Sequence, residues 1–139
     1  MDIKPYKRKV NYYETDRMQI VHHTNYIRYF EEARIDFMNQ IGCNVAMMED
    51  KNLIIPNIDA YAKYHHSLRF GDEFTVIIKP TEFSGAKMRF EYEILINGSN
   101  ELSCTGFTTH CFVNENYKPI SVKRSHPEIY NSIKNSLVK

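Results

Sequence analysis

The clearest helical pattern in the chain lies between residues 24 and 42. Apolar side chains recur every three or four residues over 26–41, and polar side chains fill the opposite face. Either Thr24 or Asn25 could cap the first turn, because both side chains accept hydrogen bonds from freed N–H groups. Gly42 is suited to end the helix, because glycine tolerates the left-handed conformation. The pattern predicts one long amphipathic helix of about 25 Å.

Alternation of apolar and polar positions predicts five strands around this helix. The first covers residues 6–13, with Tyr6, Val10 and Tyr12 on one face. The others are predicted over 54–68, 74–80, 88–96 and 102–113. Turn signals separate the last four strands, at 70–72, at 84–86 and at Asn97-Gly98, which is typical of a hairpin. A short amphipathic helix is predicted over 127–137, and the segment 43–53 has no assigned structure.

These elements together predict the fold class. One long helix and about five strands joined by short turns are typical of an α+β domain. The antiparallel sheet must curve around the helix to cover its aromatic stripe, and large side chains on the outer sheet face suggest self-association. A length of 139 residues is that of one domain.

Charge and composition narrow the class of protein. Eighteen Lys and Arg residues balance 17 Asp and Glu residues, so the net charge of +1 offers no general attraction for a nucleic acid. Three cysteines form no CxxC pair and are expected to be reduced thiols. The first ten residues lack the apolar core of a signal peptide, and no apolar run approaches the ~20 residues of a membrane span. We therefore expect a cytoplasmic protein without nucleic-acid or membrane partners.

The candidate chemistry lies in residues 12–26. Asp16 is expected to end the first strand, and a polar loop leads from it to the helix N-terminus. That end of a helix carries unpaired N–H groups and a positive dipole, which can polarise a carbonyl. A nearby carboxylate can attack the carbonyl or activate a water molecule. From spacing alone, a carboxylate that only caps the helix or pairs with Arg17 is the more common case.

Two histidine pairs, His22-His23 and His65-His66, raise the question of a metal site. Adjacent side chains in a strand point to opposite faces, so at most one of His65 and His66 could join such a site. No HExxH or Cys/His spacing accompanies either pair. We therefore expect no metal.

Several short motifs in this region resemble the signature of the 4-hydroxybenzoyl-CoA thioesterase family, which includes YbgC-like and FadM-like acyl-CoA thioesterases. The matching residues are Glu14-Thr15-Asp16, Val21-His22-His23, Asn25-Tyr26, Phe30-Glu31 and Ala33-Arg34. The resemblance is dense over 10–37 and looser to about residue 115. It implies a single hotdog domain over residues 1–139, in which a curved antiparallel sheet wraps a long central helix. It also implies homodimers or homotetramers that join their sheets, with the acyl site at the dimer interface.

The resemblance implies roles for particular residues. Asp16 matches the catalytic carboxylate, which acts in this family as nucleophile or as general base. His23 matches a histidine that supports substrate positioning or proton transfer. The backbone at Asn25 and Tyr26 is expected to polarise the thioester carbonyl. Ser84, Lys87 and Arg89 match the region where coenzyme A phosphates are often held, although an ordinary solvated sheet surface would have a similar composition.

The function implied is hydrolysis of an acyl-CoA thioester to a free acid and coenzyme A. No cofactor is expected, since coenzyme A enters as part of the substrate. Two alternatives remain open: an acyl carrier protein could replace coenzyme A, or the chain could bind acyl thioesters without cleaving them. The acyl group preferred is not predicted by the sequence.

Overall fold

The computed structural model describes residues 2–137, so Met1, Val138 and Lys139 of the predicted domain lie outside the described residues. The elements in chain order are β1 (Tyr6–Lys9), a 3₁₀ turn (Tyr12–Glu14), α1 (Thr24–Gln40), α2 (Val45–Asp50), β2 (Asn57–Tyr64), β3 (Glu73–Phe83), β4 (Lys87–Ile96), β5 (Leu102–Cys111), α3 (Val122–Ser125) and α4 (Pro127–Ser136).

The five strands form one antiparallel sheet in the order β1-β3-β4-β5-β2. Short turns join β3, β4 and β5 into a meander, as the turn signals predicted. The strands on either side of α1 in the sequence become the two edges of the sheet. Tyr6 of β1 lies opposite Val76, and Ala60 of β2 lies opposite Thr108. The predicted α+β architecture is confirmed.

Aromatic contacts hold α1 against the sheet at two places along the helix. The ring centroids are 4.6 Å apart for Tyr29 and Phe74, and 4.3 Å apart for Phe30 and Tyr92. About two turns further, the rings of Phe37 and Phe90 are 5.5 Å apart. Each of these side chains is fully buried or nearly so, and each such burial stabilises the fold by roughly 1.5–3 kcal/mol. The long amphipathic helix is therefore the centre of the core.

A glycine on β5 allows α1 to approach the sheet this closely. A Cβ atom on Gly106 would lie 2.2 Å from the carbonyl oxygen of Tyr61 and 2.6 Å from a ring atom of Phe30. Because no side chain fits in this space, Gly106 sets the distance between α1, β5 and the edge strand β2.

The first strand is shorter than predicted. It ends at Lys9, and the 3₁₀ turn follows because Asn11 and Glu14 bind each other. The Asn11 N–H donates to the Glu14 carboxylate at 2.8 Å, and the Glu14 N–H donates to the Asn11 carbonyl at 3.0 Å. The prediction that the first strand continues through Tyr12, on one face with Tyr6 and Val10, and that Asp16 ends it is therefore wrong.

The start of α1 also differs from the prediction in detail. The helix begins at Thr24 with His23 at the capping position; the His23 side chain makes no capping bond, and the Thr24 N–H donates to His22 Nδ1 at 3.3 Å. The Thr24 hydroxyl also pairs with His22 Nδ1 at 2.8 Å, and the Asn25 side chain donates to the Glu14 carbonyl at 2.9 Å. The predicted end holds, because Gly42 has a positive φ of 85°.

Two further segments differ from the prediction, and the C-terminal helix agrees with it. The strand predicted over 54–68 is reduced to β2, which ends at Tyr64 because the His65 and His66 N–H groups both donate to the Ser103 carbonyl. The unassigned segment 43–53 contains α2, whose Asn44 cap accepts from the Met47 N–H at 2.8 Å. The predicted C-terminal helix is confirmed as α4, preceded by the short α3.

Candidate active site

Asp16 lies in a loop, residues 16–20, that its own main chain closes. The Asp16 N–H donates to the Ile20 carbonyl at 2.9 Å, and the Gln19 N–H donates to the Asp16 carbonyl at 2.9 Å. Gln19 adopts a positive φ of 66° to complete the turn. The carboxylate oxygen Oδ1 accepts from the Met18 N–H at 2.8 Å, whereas Oδ2 has no hydrogen-bond partner within residues 2–137. The Asp16 carboxylate is thus oriented through Oδ1, while Oδ2 is left without a bond to the described residues.

The Asp16 carboxylate opens into a hollow of about 410 Å³. Tyr12 and Phe70 form an apolar rim; they meet edge to face at 5.5 Å and remain 73% and 59% exposed. Arg69 also lines the hollow, and its N–H donates to the Asp72 carboxylate at 2.8 Å. The hollow therefore combines a carboxylate, a guanidinium group and an aromatic rim. Arg69 was not predicted to belong to the site, because no local pattern connects it to Asp16.

The backbone at the start of α1 is bonded differently from the prediction. The Asn25 N–H donates to the His22 carbonyl at 2.9 Å, and the Tyr26 N–H donates to the His23 carbonyl at 3.3 Å. These bonds tighten the first turn in 3₁₀ fashion and occupy both N–H groups that were expected to polarise a carbonyl. The His23 N–H, in contrast, has no acceptor among the described residues. It is the available main-chain donor at this helix end.

His23 and Tyr26 are brought together by a residue of the edge strand. The Tyr64 hydroxyl donates to the His23 carbonyl at 3.2 Å, and its ring meets the Tyr26 ring edge to face at 5.1 Å. The exposed His23 ring stacks on His22 at 4.3 Å. Tyr26 is buried, its hydroxyl accepts from the Leu68 N–H at 3.1 Å, and burial raises its pKa. The Tyr26 side chain therefore serves as packing beneath the helix start.

A charged group beside this region was not predicted. We call it the Arg8 cluster; it consists of Arg8, Glu14, Glu32, Tyr6 and Tyr29. Arg8 donates to both oxygens of Glu32, at 2.8 and 2.9 Å, and also binds the Glu14 carboxylate. Tyr6 donates to Glu32 at 3.0 Å, and burial together with the Glu32 charge raises the pKa of Tyr6 to about 12. Burial alone would lower the pKa of Arg8, but hydrogen bonds to Glu32 and Glu14 raise it.

The three residues predicted to hold phosphates do lie together. Ser84, Lys87 and Arg89 line one open hollow of about 670 Å³. The Ser84 hydroxyl accepts from the Lys87 N–H at 3.1 Å, and the Arg89 guanidinium lies 4.0 Å from the centre of the Phe107 ring. Two carboxylates, those of Asp59 and Glu82, line the same hollow. It shares no lining residue with the hollow at Asp16.

Two observations concern metal and membrane. Within residues 2–137, no three His, Cys, Asp or Glu side chains are grouped so that they could hold a metal ion. The expectation of a metal-free site stays a prediction. Across the same residues, no helix combines the length and apolar character needed to cross a bilayer.

Comparison with known proteins identifies the class. The structure of the DHNA-CoA thioesterase from Staphylococcus aureus superposes with a TM-score of 0.90 at 29% sequence identity, covering 94% of this chain and 88% of that one. The "Putative acyl-CoA thioesterase YneP" of Bacillus subtilis is 30% identical over 129 residues, which are 92% of this chain and 93% of that protein. A "Putative esterase" of Aquifex aeolicus is 35% identical over 124 residues, or 89% and 94% of the two chains.

The fold is therefore the hotdog fold, as the resemblance implied, and the protein is a thioester hydrolase. The model of the thioesterase-like superfamily matches residues 10–129, and the chain belongs to that superfamily. Membership of the narrower 4-hydroxybenzoyl-CoA branch stays a prediction.

Proposed function

We propose that the protein hydrolyses an acyl-CoA thioester to a free carboxylic acid and coenzyme A, with Asp16 as the reacting carboxylate. The observation that carries this proposal is the state of the Asp16 side chain. Oδ1 is fixed by the Met18 N–H, Oδ2 has no hydrogen-bond partner in residues 2–137, and Asp16 lines an open hollow. A carboxylate held in this way is oriented before the substrate arrives, which is what nucleophilic or general-base catalysis requires.

Two routes use the same residue. As a nucleophile, the Asp16 carboxylate attacks the thioester carbonyl and expels the coenzyme A thiolate, which takes a proton from solvent. Water then cleaves the mixed anhydride, which releases the acid and restores Asp16. As a general base, Asp16 takes a proton from the water that attacks the carbonyl. A thiolate is a good leaving group, so neither route needs a strong acid.

We assign polarisation of the carbonyl to the His23 N–H rather than to Asn25 or Tyr26. Its availability supports this choice, since the other two N–H groups are bonded within the first turn. It also lies at the positive end of the 17-residue helix α1, where negative charge on the carbonyl oxygen is stabilised. The exposed His23 imidazole is proposed to support substrate positioning or proton transfer.

Ser84, Lys87 and Arg89 are proposed to hold the coenzyme A phosphates. The two cations on one face of β4 and the Ser84 turn support this role, and the Asp59 and Glu82 carboxylates in the same hollow oppose it. Because this hollow and the one at Asp16 are separate in one chain, we propose that a second copy completes the site. A homodimer or homotetramer remains the expected assembly.

The test is thiol release from a panel of short, medium, long and aromatic acyl-CoA esters, with Asp16→Asn beside the wild type. We expect turnover of at least one ester and a loss of about 100-fold or more in kcat for Asp16→Asn, because the amide cannot act as nucleophile or base. Asp50→Asn, an exposed site on α2, is the matched control and is expected to keep full activity.

The alternatives predict different results. Activity that survives Asp16→Asn would contradict the assigned mechanism but not the reaction. If no coenzyme A ester is hydrolysed, esters of an acyl carrier protein become the proposed substrates. If those are not hydrolysed either, the protein is one that binds acyl thioesters without cleaving them. An acyl-N-acetylcysteamine thioester lacks the nucleotide; an unchanged KM for it would contradict the proposed phosphate site.

A further inference from the structure

We propose that Arg8 is a positioning residue, which fixes the separation between the Asp16 carboxylate and the His23 N–H. This inference rests on the proposed function and adds to it a residue that does not itself touch the substrate. Arg8 lies on β1, outside the motif region 12–26, and it reaches the site only through the groups that it binds.

Arg8 connects three elements of the fold. Its guanidinium leaves β1, binds Glu32 on α1 through two hydrogen bonds of 2.8 and 2.9 Å, and binds Glu14 at the end of the 3₁₀ turn. Its Cζ atom also lies 4.9 Å from the centre of the Tyr29 ring. A planar guanidinium can hold two carboxylates at once in fixed directions, and an ammonium group cannot.

Glu14 is in turn connected to both groups assigned to the reaction, the Asp16 carboxylate and the His23 N–H. Glu14 precedes Asp16 by two residues, and its carbonyl oxygen accepts from the His22 N–H at 2.9 Å and from the Asn25 side chain at 2.9 Å. The side chain of Glu14 is therefore held by Arg8 while its main chain holds the start of α1. A shift of Glu14 would move the Asp16 loop and the His23 N–H relative to each other.

Charge and burial make the position of Glu14 depend on Arg8. The Arg8 and Glu14 side chains are only 17% and 6% exposed, so neither is well solvated. One cation faces two carboxylates, those of Glu14 and Glu32. Without Arg8, the buried Glu14 carboxylate would lose its cationic partner, keep only the bond from the Asn11 N–H, and face Glu32 with like charge, which favours its movement towards water. The geometry of the site would then relax.

The test compares Arg8→Lys with the wild type in the thiol-release assay. We expect kcat to fall about 10- to 100-fold and KM to stay within about threefold, because a displacement of about 1 Å has effects of that size on catalysis. Lys51→Met is the matched control: it breaks an ion pair of 2.7 Å between α4 and the chain after α2, away from the site, and should leave kcat unchanged.

Two further readouts separate positioning from a general loss of stability. Addition of millimolar ethylguanidinium to Arg8→Ala should recover part of kcat, because the small cation can occupy the space between the two carboxylates. The amide NMR signals of His22 and His23 should shift in Arg8→Lys and stay in place in Lys51→Met. A merely destabilised protein would show neither effect.

Failure of this inference is distinguishable from failure of the proposed function. A folded Arg8→Lys variant with wild-type kcat, beside an inactive Asp16→Asn, would overturn the role of Arg8 alone. Loss of the proposed function would appear in the wild type itself, as absent or Asp16-independent turnover. In that case, unmoved His22 and His23 amide signals in Arg8→Lys would still overturn the positioning role, and shifted signals would support it.

Discussion

At the scale of single residues, the buried His110 makes the stability of the fold depend on pH. It is fully buried on β5, and its Nε2 pairs with the Thr108 hydroxyl at 2.8 Å. That hydroxyl also pairs with the Tyr92 hydroxyl at 2.6 Å, which places a small polar chain in the core. Burial, with a contribution from the Arg34 charge, lowers the pKa of His110 from 6.5 to about 4. The imidazole is therefore neutral in the folded protein above about pH 4.

The sign of the pH dependence follows from this shift. Between about pH 6.5 and pH 4 the unfolded chain binds a proton at His110 and the folded protein does not, so the free energy of unfolding falls as the pH falls. From pH 7 to about pH 5, His110 alone should cost on the order of 2 kcal/mol. Urea unfolding at the two pH values measures this loss.

His110→Gln is the variant that isolates this contribution. Glutamine can still pair with Thr108 but does not titrate, so its stability should change by about 2 kcal/mol less than that of the wild type between the same pH values. Parallel losses in the two proteins would show that other groups control the acid sensitivity.

Residue-scale features also differ in how far the sequence reveals them. Asp16 was found through a motif, because its neighbours in the chain form the pattern. Arg8 was missed although it shares the inner face of β1 with Tyr6 and Val10, and an arginine on the inner face of an alternating strand is a usable signal. Its partner Glu32, 24 residues further on, could not be inferred, because no local periodicity relates β1 to α1.

At the scale of elements, the close approach of α1 to β5 leads to a prediction about Gly106. An alanine there would place its Cβ against the Tyr61 carbonyl and the Phe30 ring. The backbone of the edge strand and the helix must then move apart, and overpacking of this kind costs roughly 1–3 kcal/mol. We expect Gly106→Ala to lower Tm by several degrees in a thermal melt. An unchanged Tm would mean that α1 is not held at this distance.

The long helix, the five strands and the C-terminal helix were predicted in type and order, but the end of β1, the bounds of β2 and the short α2 were not. Periodicity identifies α1 and the meander because it repeats over many residues. The end of β1 depends on the reciprocal bonds of Asn11 and Glu14, and the end of β2 depends on the Ser103 carbonyl. These are single contacts, which leave periodicity unchanged and so cannot be read from it. The short α2 is one and a half turns long, too short for its period to emerge.

At the scale of the whole molecule, β2 is an exposed edge that the proposed assembly must cover. Ile58, Tyr61 and Tyr64 are each about half exposed, which is unusual for large apolar side chains. The His65 N–H donates towards β5, so by alternation the Ala60 main-chain groups point away from the sheet. They are free to pair with the same strand of a second copy.

Ala60→Pro tests this edge. Proline removes the outward N–H, and an edge strand tolerates proline, so the fold should persist while association weakens. Light scattering after size-exclusion chromatography should show a shift from dimer or tetramer towards monomer, with an unchanged circular dichroism spectrum. Ala60→Thr keeps the N–H and should keep the assembly. An Ala60→Pro variant that keeps the wild-type assembly mass would indicate that the copies meet elsewhere.

The closed loop at residues 16–20 determines at which stage the Asp16 side chain becomes ordered. Its turn, its Gln19 conformation and the bond from Met18 to Asp16 are all formed by the chain itself. The entropy of ordering the Asp16 side chain is therefore lost during folding, and substrate binding does not have to supply it. In the proposed mechanism, a carboxylate ordered in advance favours reaction with many different acyl groups, since none of them is needed to assemble it. Under the same proposal, selectivity among thioesters arises from the walls around the acyl group.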